Sequence, residues 1–301
     1  MKQIMKHQKW LAIGAAVMSV VLIIFICLLL FLPRASGDDA VFAGRSNALA
    51  TFNKDVYGVL LLGSDEGATN TNGGNHTDSL TYLAVNRRTG EVIALPIYRD
   101  AFIPISCKSG TSDNANRIYR DYGAECLKQS VSALLGLPVD YYLYTTSDAF
   151  VTILNDIGPV AITPDESFCS NFGNDDQEYC FESGVSQNMN GNELLAYARY
   201  RGNSSGERRA ERHVPMIQGI LNQCAADKRV CAGSVLVQMA NGKVQSDIEV
   251  EAAIDLLRAT KVESLGVVGG SNFEDEHGWH QRVDLDDLVK KVQIIRERMG
   301  I

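Results

Sequence analysis

The stretch 194–214, LLAYARYRGNSSGERRAERHV, carries Arg199, Arg201, Arg208, Arg209 and Arg212 in a chain whose formal net charge is −8. Guanidinium forks match phosphate oxygens two at a time, so several that converge suit a pyrophosphate. Arg199 falls in the last turn of one expected helix and Arg201 just beyond it. Arg209 and Arg212, three apart, share a face of the next helix. His213 follows them. Glu207 and Glu211 offer local partners, so a solvated ion-pair face is the alternative, and Arg199 also suits a helix C-terminal dipole. Two carboxylates stand apart from this cluster. Asp65 closes the apolar run VLLLGSD, and Asp78 precedes the next apolar run. Ligands of open α/β sheets bind at such strand edges. Two carboxylates meeting there could hold Mg²⁺, a hard cation that takes oxygen ligands. Alternatively, both bond their own turns. Arg99 ends the run VIALPIY beside Asp100, which can neutralise it locally.

The elements that would position these residues alternate between strand and helix. DVYGVLLLGSD reads as a buried strand, and DSLTYLAVNRRTGEVIALPIYRD as a hairpin turning at NRRTGE. Asn114 to Leu135 has a helical pattern that stops at Gly136. VDYYLYT is strand-like, SDAFVTILNDIG is a helix capped by Ser147 or Asp148, and PVAIT is a strand. Residues 164–187 read as a polar loop. MNGNELLAYARYR is a helix ending at Gly202. From about Glu207 to Cys224, Ala210, Val214, Ile217 and Leu221 form one apolar stripe, which Pro215 should kink or restart. A strand, VESLGVVGG, and a helix from about Asp284 to Met299 close the chain. The pattern predicts a three-layer α/β/α domain over 55–301 with a mixed central sheet.

The N-terminus sets the compartment. Lys2, Lys6 and Lys9 precede an uncharged apolar run, Trp10 to Leu32. About 20 such residues suffice to span a bilayer. Residues 10–32 are therefore expected to form a transmembrane anchor, with 1–9 cytoplasmic and a polar stalk at 33–54. A cleaved signal peptide is the alternative. Cys27 lies in the apolar run. Cys107, Cys126, Cys169, Cys180, Cys224 and Cys231 make an even set on the oxidising side. Six cysteines allow fifteen pairings. The local choice, Cys107–Cys126, Cys169–Cys180 and Cys224–Cys231, closes three short loops. The acidic balance argues against nucleic-acid binding. No G-x-S-x-G, Walker A or H-E-x-x-H motif occurs.

The order VLLLGSD, HTDSLTYLAVNRRTGEVIALPIYRD, LGLPVDYYLYTTSDAFVTILNDIGPVAI, MNGNELLAYARYR…RRAERH resembles the LytR–CpsA–Psr family of cell-envelope glycopolymer transferases, over about Val56 to Cys224. The resemblance implies a Mg²⁺-dependent phosphotransferase that moves a glycopolymer, such as a teichoic acid or capsular polysaccharide, from a polyprenyl-pyrophosphate carrier to peptidoglycan. By motif match, Asp65 and Asp78 correspond to the Mg²⁺-associated carboxylates and Arg99 to the arginine after the third strand. Arg199, Arg201, Arg209 and Arg212 correspond to the pyrophosphate grip, which His213 adjoins. A prenyl tail would lie between sheet and helices. The chain departs from the family pattern at His76, Tyr98 and His213, where arginine, proline and glutamine are common, and at Asn114, near the place of a lysine. A prenyl-phosphate-binding regulatory module and a lipid pyrophosphate hydrolase would use the same residues without transfer.

Overall fold

A computed structural model describes residues 55–64, 77–108, 110–201, 206–259 and 261–301. All belong to one unit, Ala48–Ile301. The anchor at 10–32, the stalk at 33–54, Asp65, His76 and Gly202 lie outside the described residues. Three strands form the centre: β1 (Val56–Ser64), β2 (Thr77–Asn86) and β3 (Glu91–Ile97). Their side chains alternate between two buried faces, the period of two that a pleated strand imposes. Leu60, Leu62, Leu80, Tyr82, Ile93 and Leu95 face one way. Tyr57, Val59, Leu83, Val85, Val92 and Ala94 face the other. The β2–β3 hairpin turns through Arg87–Gly90, with Asn86 Oδ1 accepting from the Arg88 and Thr89 amides. Gly90, at φ 69°, supplies the left-handed residue.

A short pair follows, β4 (Phe102–Pro104) with β5 (Ser112–Asn114), leading into helix α1 (Ala115–Leu135). The helix is interrupted at Gly123 (φ 83°) and ends at Gly136 in the left-handed conformation, as its sequence predicts. β6 (Tyr141–Thr146) returns to the sheet and runs directly into α2 (Ser147–Ile157). Its cap is Thr146, whose hydroxyl accepts from the Ala149 amide, not the expected Ser147 or Asp148.

The stretch 164–187, expected as a loop, holds structure instead. After β7 (Val160–Ile162), β8 (Phe168–Ser170) pairs with β9 (Tyr179–Phe181), and Cys169 is bridged to its register partner Cys180. The apolar residues there are too few for a period to show. β10 (Gln187–Met189) pairs with β7. Next come α3 (Gly191–Arg199), opened by an Asn190–Glu193 capping box, and α4 (Gly206–Ala226). Pro215 sits inside α4, which neither stops nor restarts there. Gly219 lets α4 lie on β7: a Cβ there would come within 2.7 Å of Val160.

The remaining elements are α5 (Lys228–Ala240), β11 (Val244–Ser246), α6 (Val250–Leu256), β12 (Lys261–Ser264), the hairpin β13 (Gly270–Asp275) and β14 (Gly278–Val283), and α7 (Leu285–Met299). The main sheet has the order β11-β6-β1-β2-β3-β12. It is mixed: β1–β6 and β3–β12 are parallel, and the other pairs are antiparallel. Ile118, Leu127 and Val131 of α1, with Leu288 and Ile295 of α7, cover one face. Val214, Ile217 and Leu221 of α4, with Ala252 of α6, cover the other. A satellite core joins Phe168, Phe181, Leu194, Tyr197 and Met216. The three disulfides are Cys107–Cys126, Cys169–Cys180 and Cys224–Cys231, the nearest-neighbour set.

Candidate functional site

Strand register assembles the site. Leu80 pairs with Ile97 across the β2–β3 hairpin. Asp78, two residues before Leu80, therefore falls opposite Arg99, two residues after Ile97, and the two side chains form an ion pair. Arg99 Nε also donates to Asp100 Oδ2 at 3.4 Å. Both carboxylates hold the Arg99 guanidinium above its ordinary value, against a desolvation that acts the other way and is the largest influence. The start of α1 braces this corner. The Asn116 amide donates to the Arg99 carbonyl at 2.9 Å, and its Nδ2 to Asp100 Oδ1 at 3.4 Å. Asn116 is buried, and its Oδ1 has no hydrogen-bond partner among the described residues.

The end of β1 lies beside this corner. Ser64 pairs with Thr77 on β2 and with Thr146 on β6. The buried Ser147 hydroxyl donates to the Ser64 carbonyl at 2.9 Å. It accepts from Arg199 Nη2 at 2.7 Å. Arg199 also donates to the Phe172 carbonyl and to Asn174 Oδ1. Asp65 follows Ser64 directly in the chain.

Helix α4 supplies the rest. Arg209 Nη2 donates to the Asp78 carbonyl at 3.3 Å. Its Nε is buried with no hydrogen-bond partner among the described residues. Desolvation, then the charges of Arg201 and Arg99, bring the Arg209 guanidinium down to about 10, against the pull of Asp78 and Asp100. Arg201 is exposed at the end of the α3 segment. Burial, then Arg209, pushes the His213 imidazole down to about 4, although contact with the Ala198 backbone favours its charged form. His213 is thus neutral at pH 7.

Arg212 is placed differently. It is 3 % exposed, ion-pairs with Glu166 and donates to the Tyr200 carbonyl. Its guanidinium lies 4.9 Å from the Phe168 ring centre and 5.3 Å from that of Tyr200. Arg208 joins the same Glu166 at 3.2 Å. The structure therefore brings together Asp78, Arg99, Arg201 and Arg209, with Asp100 and Asn116. It seats Arg212, expected from the sequence to grip a ligand, in the wall of the satellite core beside Glu166. Glu166 carried no signal in the sequence, because 46 residues separate it from Arg212. Asn114 holds the N-cap position of α1 without a side-chain capping bond and is buried, its Nδ2 donating to the Trp279 carbonyl and its Oδ1 meeting His280 Nδ1. Among the described residues no three His, Cys, Asp or Glu gather into a protein-only metal cage.

Among the described residues this edge of the α/β domain gathers Arg99, Arg201 and Arg209 around Asp78 and Asp100. A sequence profile of the LytR_cpsA_psr family matches residues 37–270, and the chain belongs to that family. The polyisoprenyl-teichoic acid–peptidoglycan teichoic acid transferase TagU of Halalkalibacterium halodurans is 26 % identical over 244 residues, 79 % of this chain and 77 % of that protein. The crystal structure of Bacillus subtilis TagV superposes with a TM-score of 0.66 at 20 % identity, covering 82 % of this chain and 98 % of that one. The structure of TagT bound to LIIa-WTA does so at 0.66 and 21 %, covering 83 % and 94 %. These likenesses establish the mixed α/β fold.

Proposed function

We propose that the protein is a phosphotransferase that moves a glycopolymer from a polyprenyl-pyrophosphate carrier to peptidoglycan. The observation that carries it is Arg209: a desolvated guanidinium beside Arg99 and Arg201, with a buried Nε left unpartnered. An isolated buried charge is costly, and like charges deepen the cost. A diphosphate relieves both, because it offers several oxygens and more than one negative charge. The names of the relatives support the donor and acceptor classes.

Phosphoryl transfer depends mainly on positioning and charge neutralisation. An acceptor hydroxyl on peptidoglycan attacks the sugar-side phosphorus. The bond from that phosphorus to the bridging oxygen breaks, the lipid leaves as its monophosphate, and the hydroxyl proton passes to a site carboxylate. Arg99, Arg201 and Arg209 bind the diphosphate oxygens. Neutral His213 donates or accepts one hydrogen bond beside them. Arg199 fixes Ser147 and the end of β1. Asp78 presents hard oxygen donors at this edge, which suits Mg²⁺, a cation that takes one or two carboxylates plus phosphate oxygens. Asp78, with Asp65, would hold the ion, which when bound neutralises charge on the phosphate oxygens. The apolar run 10–32 would anchor the domain at the membrane holding the donor, on the oxidising side that the disulfides suit.

The test is transfer of a labelled lipid-linked saccharide to peptidoglycan oligomers with Mg²⁺ present. The proposal expects coupled product from wild type and none from Arg99→Ala. Donor binding without product would establish a regulatory binding module instead, and free glycan phosphate alone would establish a hydrolase.

A further inference from the structure

Helix α5 is inside out. Its inward stripe is Cys231, Ser234 and Gln238, the two polar residues each 7 % exposed. Ser234 Oγ donates to Asp156 on α2, and Cys231 is tied to Cys224. Its outward side shows Val230, Leu236, Val237 and Met239, with Leu236 59 % and Val237 56 % exposed. A surface helix of a globular protein arranges these classes the other way round. Exposed apolar residues elsewhere are interleaved with charge: Leu285 and Val289 of α7 stand among Asp286, Asp287 and Lys290. The α5 sequence KRVCAGSVLVQMA contains no acidic residue. It opens with exposed Lys228 and Arg229 after the N-cap Asp227, whose carboxylate accepts from the Arg229 and Val230 amides. Lys243 follows its end.

We propose that the outward face of α5 lies on an anionic phospholipid surface; this rests on the anchored reading above. Exposed apolar area and nearby basic charge both add to binding at the headgroup and acyl boundary of an anionic bilayer. The long basic side chains reach headgroups while the apolar face enters the acyl boundary. Anionic headgroups answer Lys228 and Arg229, whereas the same α5 face of a second copy would set its own Lys228 and Arg229 against them. Reach allows the contact. Residues 33–54 separate the apolar run from β1 and extend to at most about 70–80 Å. The placement also suits the donor. Lys243 meets Asp148 at 3.7 Å, and Asp148 accepts from Asn174, which Arg199 holds. The C-terminal end of α5 thus abuts the Arg199 edge of the site, and a seated α5 brings that edge to headgroup level.

The chain has two tryptophans, Trp10 and Trp279, which makes fluorescence a direct test. The full chain would be reconstituted in phosphatidylglycerol vesicles with brominated acyl chains. One variant, Trp279→Phe, reports Trp10 in the apolar run. The other, Leu236→Trp with Trp10→Phe and Trp279→Phe, reports α5; position 236 is exposed, so the fold tolerates the change. The proposal expects emission from position 236 to shift blue, to be quenched by brominated lipid and to be shielded from iodide. Quenched Trp10 with an iodide-accessible, lipid-insensitive position 236 overturns the proposal alone. Shielding of position 236 from both quenchers means that protein covers it, a second copy included, and also overturns it. Trp10 insensitive to brominated lipid removes the anchored reading and this proposal together.

Discussion

Arg209 and Arg212 lie three residues apart on α4 and hold their charges in opposite ways. Arg212 is buried but answered: Glu166 neutralises it, the Tyr200 carbonyl accepts from it, and two aromatic rings flank it. Arg209 is half-buried and faces the like charges of Arg99 and Arg201; among the described residues the Nε of Arg209 and that of Arg212 both lack a partner, so the difference lies in the surrounding charge. A charge that the fold satisfies holds the fold together. A charge that the fold leaves strained is kept for something that arrives, because it would otherwise only cost stability. The contrast separates two arginines that spacing alone puts in one class.

The contrast can be broken most sharply at Arg209. Arg209→Ala is expected to lower transfer by about 10²–10³-fold, the size of one donor lost from a charge-stabilising site. Thermal stability should hold or rise, because a strained cation is gone. A variant that melts earlier and still transfers would erase the distinction. Next, Arg212→Ala should destabilise by about 3 kcal/mol in denaturant unfolding, since it strands the Glu166 carboxylate and empties an aromatic-lined slot. Glu166 keeps some contact with water and with Arg208, so the loss stays below that of a fully buried pair. Arg212→Lys should recover part of it, because a lysine keeps the charge but not the fork or the stacking.

Two smaller effects sharpen the same boundary. Replacing Cys169 and Cys180 together by serine should cost about 2–3 kcal/mol, the entropy of a short closed loop. The loss falls on the hairpin that carries Phe168 against Arg212. His213 gives a pH signature. Its imidazole stands at about 4 in the folded chain, against an ordinary 6.5. Between those values the unfolded chain binds more protons, so stability is full above about 6.5 and is lost as pH falls toward 4. His213→Gln should flatten that limb in melts run from pH 4 to 7 and change transfer at pH 7 only a few-fold. An unchanged acid limb would show that neither burial nor the arginines hold His213 down.

Much of this was readable in the sequence. The two-residue alternation of β1, β2 and β3 exposes the sheet, and the stripe Ala210, Val214, Ile217 and Leu221 exposes α4. The cysteines paired as neighbours because each pair closes a short local segment. What stayed hidden depends on distant chain. Glu166 lies 46 residues from the arginine it neutralises, so the pairing of Arg212 left no trace in local spacing. The β8–β9 hairpin has three-residue strands, too short for a period. α5 was missed because KRVCAGSVLVQMA shows little helical segregation of apolar from polar residues. The Asp78–Arg99 pair shows the opposite case, since hairpin register alone sets those two residues across from each other.

The most direct test of the central claim is the thermal shift that a short-chain prenyl pyrophosphate produces in full-length wild type, Arg209→Ala and Arg212→Lys. The account predicts that the ligand raises the melting temperature of wild type and Arg212→Lys and leaves Arg209→Ala unmoved. Equal stabilisation of Arg209→Ala and wild type would contradict it.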